Sequence, residues 1–259
     1  MKYLLTGLAF VCLFAQADTE SKIKVAAIDW CPQICPNDSD RPGYVVEILQ
    51  QVVANSDIEL QIDYFPWSRA IKNVREGNYH ILLSPAKKEA PDLTYPDLPI
   101  GLQKMCFYTL AGSEWLYTNE NSLKDLFIGV AEDTSLEELN PYIEKNKEQF
   151  QFQPYHERYV SQNIRKLEKK RIDTFLFTRN TTNYIVKGDE TLPEIRNAGC
   201  VSEALIYAAM TPNENQRKWV SSLKSEFDKL MLQAIENGSV DKVLTKYEAG
   251  FSSNDLLLR

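Results

Sequence analysis

The strongest constraint on this chain is an alternation of two apolar periods across its first third. Lys22 to Ile28 alternates with a period of two and ends at Asp29-Trp30, which predicts a strand. Gly43 to Val53 carries Val45, Ile48, Leu49 and Val52 at helical spacing. Glu59 to Tyr64 alternates again as a strand. Pro66 suits the first turn of a helix, and Gly77 closes it. Ile81-Leu82-Leu83 reads as a short buried strand. This β-α-β-α-β order predicts a largely parallel sheet with flanking helices.

The rest of the chain continues the theme. Strands are expected at Lys104 to Leu110, Phe127 to Val130, Thr174 to Phe177 and Ala204 to Met210. Ser122-Leu-Lys-Asp125 has capping-box chemistry for a short helix, and Thr134 or Ser135 is expected to begin another. Further helices are expected at Val160 to Lys169, at Arg179 to Val186, from Asn213-Glu-Asn-Gln216 to about Asn237, and at Val240 to Tyr247. There is no internal repeat, low-complexity stretch or flexible linker. Two αβ halves without a linker imply domains joined by crossing strands, with a cleft between them.

The first segment stands apart. Met1-Lys2 is a short positive start, Tyr3 to Ala15 is almost wholly apolar, and Ala15-Gln16-Ala17 fits small-x-small cleavage. The apolar run falls short of the ~20 residues that span a bilayer. Cys12 lies inside it, after Phe10-Val11, and not at the cleavage point that a lipid-bearing cysteine requires. Residues 1–17 therefore read as a signal peptide cleaved after Ala17, which places the mature protein in a periplasm. Loss of Lys2 takes the net charge from −7 to −8. That balance argues against a nucleic-acid surface and against docking on an anionic membrane.

Four of the five cysteines, Cys31, Cys35, Cys106 and Cys200, remain after cleavage. An even number in an exported protein reads first as disulfides, with three connectivities open. A local Cys31–Cys35 bridge would clamp the loop Trp30-Cys-Pro-Gln-Ile-Cys-Pro36, leaving Cys106 and Cys200 to close a long one. A zinc site competes, but paired C-x-x-C spacing and a nearby histidine are missing.

Ligands of open αβ sheets gather beyond the carboxyl ends of the strands. Those positions deliver Asp29 and Trp30, then Phe65 with Trp67 and Arg69 in the next helix, then Ser84. In the second half they deliver the run Glu132-Asp-Thr134-Ser135, and then Thr178 and Arg179. Hydroxyls and backbone N–H groups at a helix start bind anions or carbonyl oxygens. Each residue also has a plainer reading: Trp67 as core, Arg69 as an exposed cation, Thr134 and Ser135 as N-caps. His80 reads as structural, Lys166 to Arg171 as a solvated helix end, and Lys87-Lys88-Glu89 as a loop at the cleft rim.

Catalytic patterns are sparse. The chain has no G-x-S-x-G elbow, H-E-x-x-H, Walker A or Rossmann glycine fingerprint. Its two histidines, His80 and His156, have no evident nucleophile partner. The reading is a protein that is not an enzyme and needs no metal or cofactor.

Taken in order, these motifs resemble the periplasmic solute-binding proteins of ABC transporters, in the amino-acid-binding group of extracellular solute-binding family 3. The resemblance rests on Arg41-Pro-Gly-Tyr-Val-Val-Glu-Ile-Leu49, Tyr64-Phe-Pro-Trp-Ser-Arg-Ala70, Arg75-Glu-Gly77, Leu82-Leu-Ser84 and Tyr95-Pro-Asp97. In the second half it rests on Ile128-Gly-Val130 with Thr134-Ser135, Lys170-Arg-Ile-Asp-Thr-Phe175 and Glu236-Asn-Gly238. It covers nearly all of the mature chain. It implies an α/β, type II periplasmic-binding fold of two αβ sandwich lobes joined by two hinge strands. Lobe 1 would combine residues 18–102 and 207–259, and lobe 2 would be 103–206. In that frame Cys106 and Cys200 lie beside both crossings, which implies the pairing Cys31–Cys35 and Cys106–Cys200.

The resemblance further implies a monomer that captures a small solute and passes it to an ABC permease, or reports it to a membrane sensor. An enzyme on the same fold is the remaining alternative. Two departures bear on the solute. Family members place an Arg after the third strand for the ligand α-carboxylate, where this chain has Glu89. They place an Asp after a second-lobe strand for the α-ammonium, where this chain has Thr178. Arg69 or Arg179 is the expected replacement grip on a carboxylate, and Asp29 the expected ammonium partner.

Overall fold

In the computed structural model, residues 22–257 are described, apart from Asp133 and Ser135 and the side chains of Glu137 and Ser202. The signal segment 1–17, with its cleavage site, lies outside them, and so does the reading of Ser135 as a ligand group. The first strands and helices follow the sequence pattern closely: β1 (Lys22–Ala27), α1 (Tyr44–Val53), β2 (Glu59–Tyr64), α2 (Trp67–Arg75) and β3 (Ile81–Ala86). Strands β1 and β2 run parallel, from Lys22 opposite Glu59 to Ala27 opposite Tyr64, and β1 pairs β3 in parallel.

The chain then crosses on β4 (Gly101–Leu110) and builds β5 (Ile128–Ala131), α3 (Asn140–Lys145), β6 (Phe150–Gln153), α4 (Tyr159–Glu168), β7 (Thr174–Thr178) and α5 (Arg179–Gly188). It returns on β8 (Ile195–Met210) and ends with α6 (Arg217–Glu236), α7 (Ser239–Lys246) and α8 (Asn254–Leu257). Among the described residues the strand order is β2-β1-β3-β8-β4-β7-β5-β6. One end of β8 pairs β3, its other end pairs β4, and both pairings are antiparallel. The two-lobe architecture follows: β2-β1-β3 on one side and β7-β5-β6 on the other, in one continuous sheet bound together by β4 and β8.

Alternation along the strands sends side chains to two faces of the sheet. In the first lobe Val25, Ala27 and Leu83 pack with Ile48 and Leu49 of α1, Phe227 of α6 and Val243 of α7. Ala26, Leu82 and Ala209 pack on the opposite face against Ala70 and Val74 of α2. In the second lobe Phe107, Val130 and Leu176 form one cluster, while Tyr108, Phe175 and Phe177 join Val160 and Ile164 of α4 in another. His80 is buried, its Nδ1 accepting the Lys24 amide at 3.1 Å and its ring tilted against Trp219, a structural role.

Several expectations are corrected. No helix starts at Thr134; a 3-10 turn at Glu137–Leu139 precedes α3, because Asn140 takes the Leu136 amide on its side chain and Pro141 suits a helix start. The capping box at Ser122 is instead a 3-10 turn, Glu120–Leu123, capped by Asn119 through the Asn121 amide. Strand β8 begins at Ile195, nine residues before the apolar run that signalled it. The strand β6 carried no recognised signal.

Among the described residues there are two disulfides, Cys31–Cys35 and Cys106–Cys200. The first closes a turn in which Ile34 donates to the Trp30 carbonyl at 3.0 Å. The same loop terminates α1. That helix has no side-chain cap, and its Tyr44 and Val45 amides donate to the carbonyls of Pro32 and Gln33, each at 3.0 Å. Gly43 allows this approach: it has φ of 101°, and a Cβ there would collide with the Gln33 carbonyl. Gly43→Ala is expected to destabilise the protein by roughly 2 kcal/mol or more, by backbone strain plus collision. Urea unfolding checks this, with an unchanged midpoint as the contrary result. Reducing both disulfides is expected to cost more, since the loop closed by Cys106–Cys200 alone is worth about 4–5 kcal/mol in the chain-entropy model.

Candidate functional site

The carboxyl ends of the parallel strands from both lobes meet at one cavity. From the first lobe come Ile28 and Trp30 after β1, Trp67 at the start of α2, and Glu89 after β3. From the second come Glu132 and Thr134 after β5, Tyr155 after β6, and Phe177 of β7. Chain direction explains the convergence, because parallel strands point their carboxyl ends the same way. The Cys31–Cys35 turn holds Trp30, which packs into the second lobe's cluster beside Tyr155 and Phe177. Tyr155 and Phe177 stack at 5.2 Å with 18° between their planes. Trp67 packs with Phe65 on the α2 side of the first lobe.

The remaining space is about 40 Å³. A site that encloses an organic solute offers about 300–1,000 Å³. The cavity in this arrangement of the lobes is therefore smaller than sites that enclose organic solutes. Helix α5 makes further closing contacts: Lys187 pairs Glu248 at 2.9 Å, Arg179 donates to the Gly250 carbonyl at 3.1 Å, and Asn180 reaches Tyr44 Oη at 3.5 Å.

A larger open groove, about 670 Å³, lies elsewhere along the seam, between Asp38, Arg41, Asn183, Lys187, Asp189 and Lys246. Its cations are engaged: Lys187 with Glu248, Lys246 with Glu47 at 2.8 Å, and Arg41 with the Lys246 carbonyl at 3.1 Å. The aromatic cavity has the better chemistry for an organic solute, since apolar walls with a few placed polar groups characterise such sites.

The cavity is acidic. Glu89 accepts the Ala86 amide on Oε2 at 2.8 Å. Beside the cavity, the Asp29 carboxyl is raised above the usual carboxylate range, by burial first and by the charge of Glu157 second. The Tyr155 phenol is pushed up by burial and by the charges of Asp29 and Glu157. Tyr64 is raised by burial, Asp29 and Asp63. Asp29 comes from the first lobe and Glu157 from the second, so their repulsion acts across the gap.

Of the residues singled out from sequence, Trp30, Trp67 and Thr134 line the cavity, and Asp29 adjoins it electrostatically. Thr134 Oγ1 donates to the Glu132 carbonyl at 3.3 Å. Phe65 sits edge-on to Tyr79 at 5.1 Å and stays in the first-lobe cluster, outside the lining. Arg69 is exposed and also outside it. Ser84 and Thr178 are buried, and neither hydroxyl has a partner among the described residues. Arg179 faces a separate pocket with Lys104, Glu203 and Gly250. Sequence reasoning missed Tyr155 and Phe177, and took Glu89 for a rim residue. Recognising β6 would have found Tyr155, two residues past its end. Among the described residues no group of three or more His, Cys, Asp or Glu could hold a metal ion, and no helix is long and apolar enough to cross a membrane.

No protein-family model matches the chain, and no curated protein matches it in sequence. Solved structures do match. An amino acid ABC transporter substrate-binding protein from Streptococcus pneumoniae, bound to L-arginine, is 15% identical with a TM-score of 0.66, over 88% of this chain and 94% of that one. A probable amino-acid ABC transporter extracellular-binding protein from Bacillus subtilis is 17% identical with a TM-score of 0.69, over 87% and 97%. A histidine kinase sensor domain with similarity to periplasmic binding proteins is 15% identical with a TM-score of 0.69, over 87% and 95%. At these identities the likeness is one of fold: this chain has the two-lobe fold of the amino-acid-binding proteins.

The acid pair across the gap makes a pH prediction. A carboxyl raised in the folded state contributes stability that is present when it is protonated and is lost as pH rises through its folded pKa. Asp29→Asn removes both the burial cost of the charge and the repulsion from Glu157. The variant is expected to melt above the wild type at pH 7, with the gap shrinking toward pH 4. Paired melting curves at the two pH values check this, and equal curves at pH 7 contradict it.

Proposed function

We propose that this chain is an exported binding protein that captures a small organic solute between its lobes for ABC-type import. The observation that carries the reading is the cavity at the strand ends, to which both lobes contribute aromatic walls. In this reading lobe 1 comprises residues 18–102 and 207–259, and lobe 2 comprises 103–206. The signal peptide is removed after Ala17, and the mature protein works in the periplasm as a monomer. Trp30, Trp67, Tyr155 and Phe177 form the walls. Thr134, Ser84 and Thr178 supply neutral hydrogen-bonding groups, and Asp29, Glu89 and Glu132 the charge. A solute that touches both lobes binds the closed arrangement better than the open one and so shifts the population toward it. No catalytic role is assigned to the site.

The similar solved structures that bind amino acids support the solute class broadly. The histidine kinase sensor domain among them supports a second reading, in which the occupied, closed lobes signal to a membrane receptor without transport. Ligand-dependent capture of a receptor, rather than of a permease, distinguishes the two.

A ligand that binds only the folded protein stabilises it, by about 2.7 kcal/mol at one hundred times its dissociation constant. A metabolite panel is therefore expected to contain solutes that raise the melting temperature saturably. Trp67→Ala is expected to weaken those solutes about tenfold or more by removing an aromatic wall. A panel with no saturable shift contradicts solute capture.

A further inference from the structure

We infer that the solute is an organic cation, an amine or amidine, that carries no carboxylate. The inference depends on the aromatic cavity being the solute site, and concerns which charge that cavity accepts. Its lining combines two carboxylates, Glu89 and Glu132, with the rings of Trp30, Trp67, Tyr155 and Phe177. Asp29 and Glu157 add negative charge close enough to act on Tyr155. Among the described residues no Lys or Arg lines the cavity.

Two neighbouring cations, Lys87 and Arg179, are directed elsewhere. Lys87 lies over the Tyr207 ring at 4.8 Å, and Arg179 is bound to the Gly250 carbonyl. Arg69 is exposed, and Lys88 lies outside the lining. A free amino acid would bring a carboxylate into this field, where like charges repel and water is largely excluded. A cation meets the opposite situation. The faces of Trp and Tyr attract it through their quadrupoles, and the carboxylates attract it directly.

Neutral groups complete the match. Ser84 lies within β3 and Thr178 ends β7; both are buried behind the lining rather than part of it, and their hydroxyls have no partner among the described residues. Hydroxyl oxygens accept hydrogen bonds from an ammonium group. The Trp30 indole N–H, which is buried and also without a partner among the described residues, suits a neutral acceptor on the solute.

Calorimetry on the mature protein at pH 7.5 tests the proposal, with amines set against their parent amino acids: agmatine and arginine, cadaverine and lysine, histamine and histidine, phenethylamine and phenylalanine. At least one amine is expected to bind tenfold or more tightly than its parent, and added salt should weaken it. Glu89→Gln should weaken that amine tenfold or more in a protein that still folds, because the amide oxygen still accepts the Ala86 N–H. Tighter binding of the amino acid, or amine affinity unmoved by Glu89→Gln, overturns the proposal while leaving solute capture intact. Failure of every amine and every amino acid, with no solute retained from the cell, overturns both.

Discussion

The antiparallel pairing of β4 with β8 is the interaction on which this molecule depends. Both strands belong to both lobes: β8 pairs β3 through Ile206–Met210 and pairs β4 from Ile195 onward. Between the lobes, Gly101–Lys104 lies opposite Glu203–Ile206, so two extended segments carry the sheet from one side to the other. Two devices keep them in register just inside the second lobe. Cys106 and Cys200 are bonded across the ladder, and Lys104 meets Glu203 at 2.8 Å with both side chains half-buried. Paired strands bend more readily than they slip, since a slip would turn each side chain to the wrong face. Any opening of the lobes proposed above would then keep the alignment of their strand ends.

That alignment makes the cavity. Parallel pairing of β1 with β2 and β3 brings Trp30, Trp67 and Glu89 to one end of the first lobe's strands. Parallel pairing of β5 with β6 and β7 brings Glu132, Tyr155 and Phe177 to one end of the second lobe's. Closure by aromatic contact costs little desolvation. Bringing Asp29 near Glu157 opposes it, and a bound cation would remove that opposition. In the proposed function, the acidic lining would link the charge of the solute to the balance between open and closed lobes.

Much of the fold was legible because its signals are local. Helix α1 announces itself by apolar spacing, α2 by Pro66, and β3 by three consecutive apolar residues. The failures arose where local pattern yields to pairing. The first half of β8 contains Arg196, Asn197, Gly199 and Glu203, so no apolar run marks it; it is a strand because β4 lies beside it. Strand β6 is short, reads Phe-Gln-Phe-Gln and leaves Phe152 exposed, so it too is held by its neighbour. The site was half legible for the same reason. Strand ends identified Trp30 and Thr134. They could not foresee that Arg179 turns toward Gly250 on a segment 71 residues away, which leaves the cavity without the cation expected there.

Solute capture requires that the two lobes enclose a small molecule. Native mass spectrometry of the freshly purified protein tests it most directly. A population heavier than the bare mature chain by one small molecule is expected, released on gentle activation and reduced in the Trp67→Ala variant. Bare protein that takes up no solute under native conditions would contradict it.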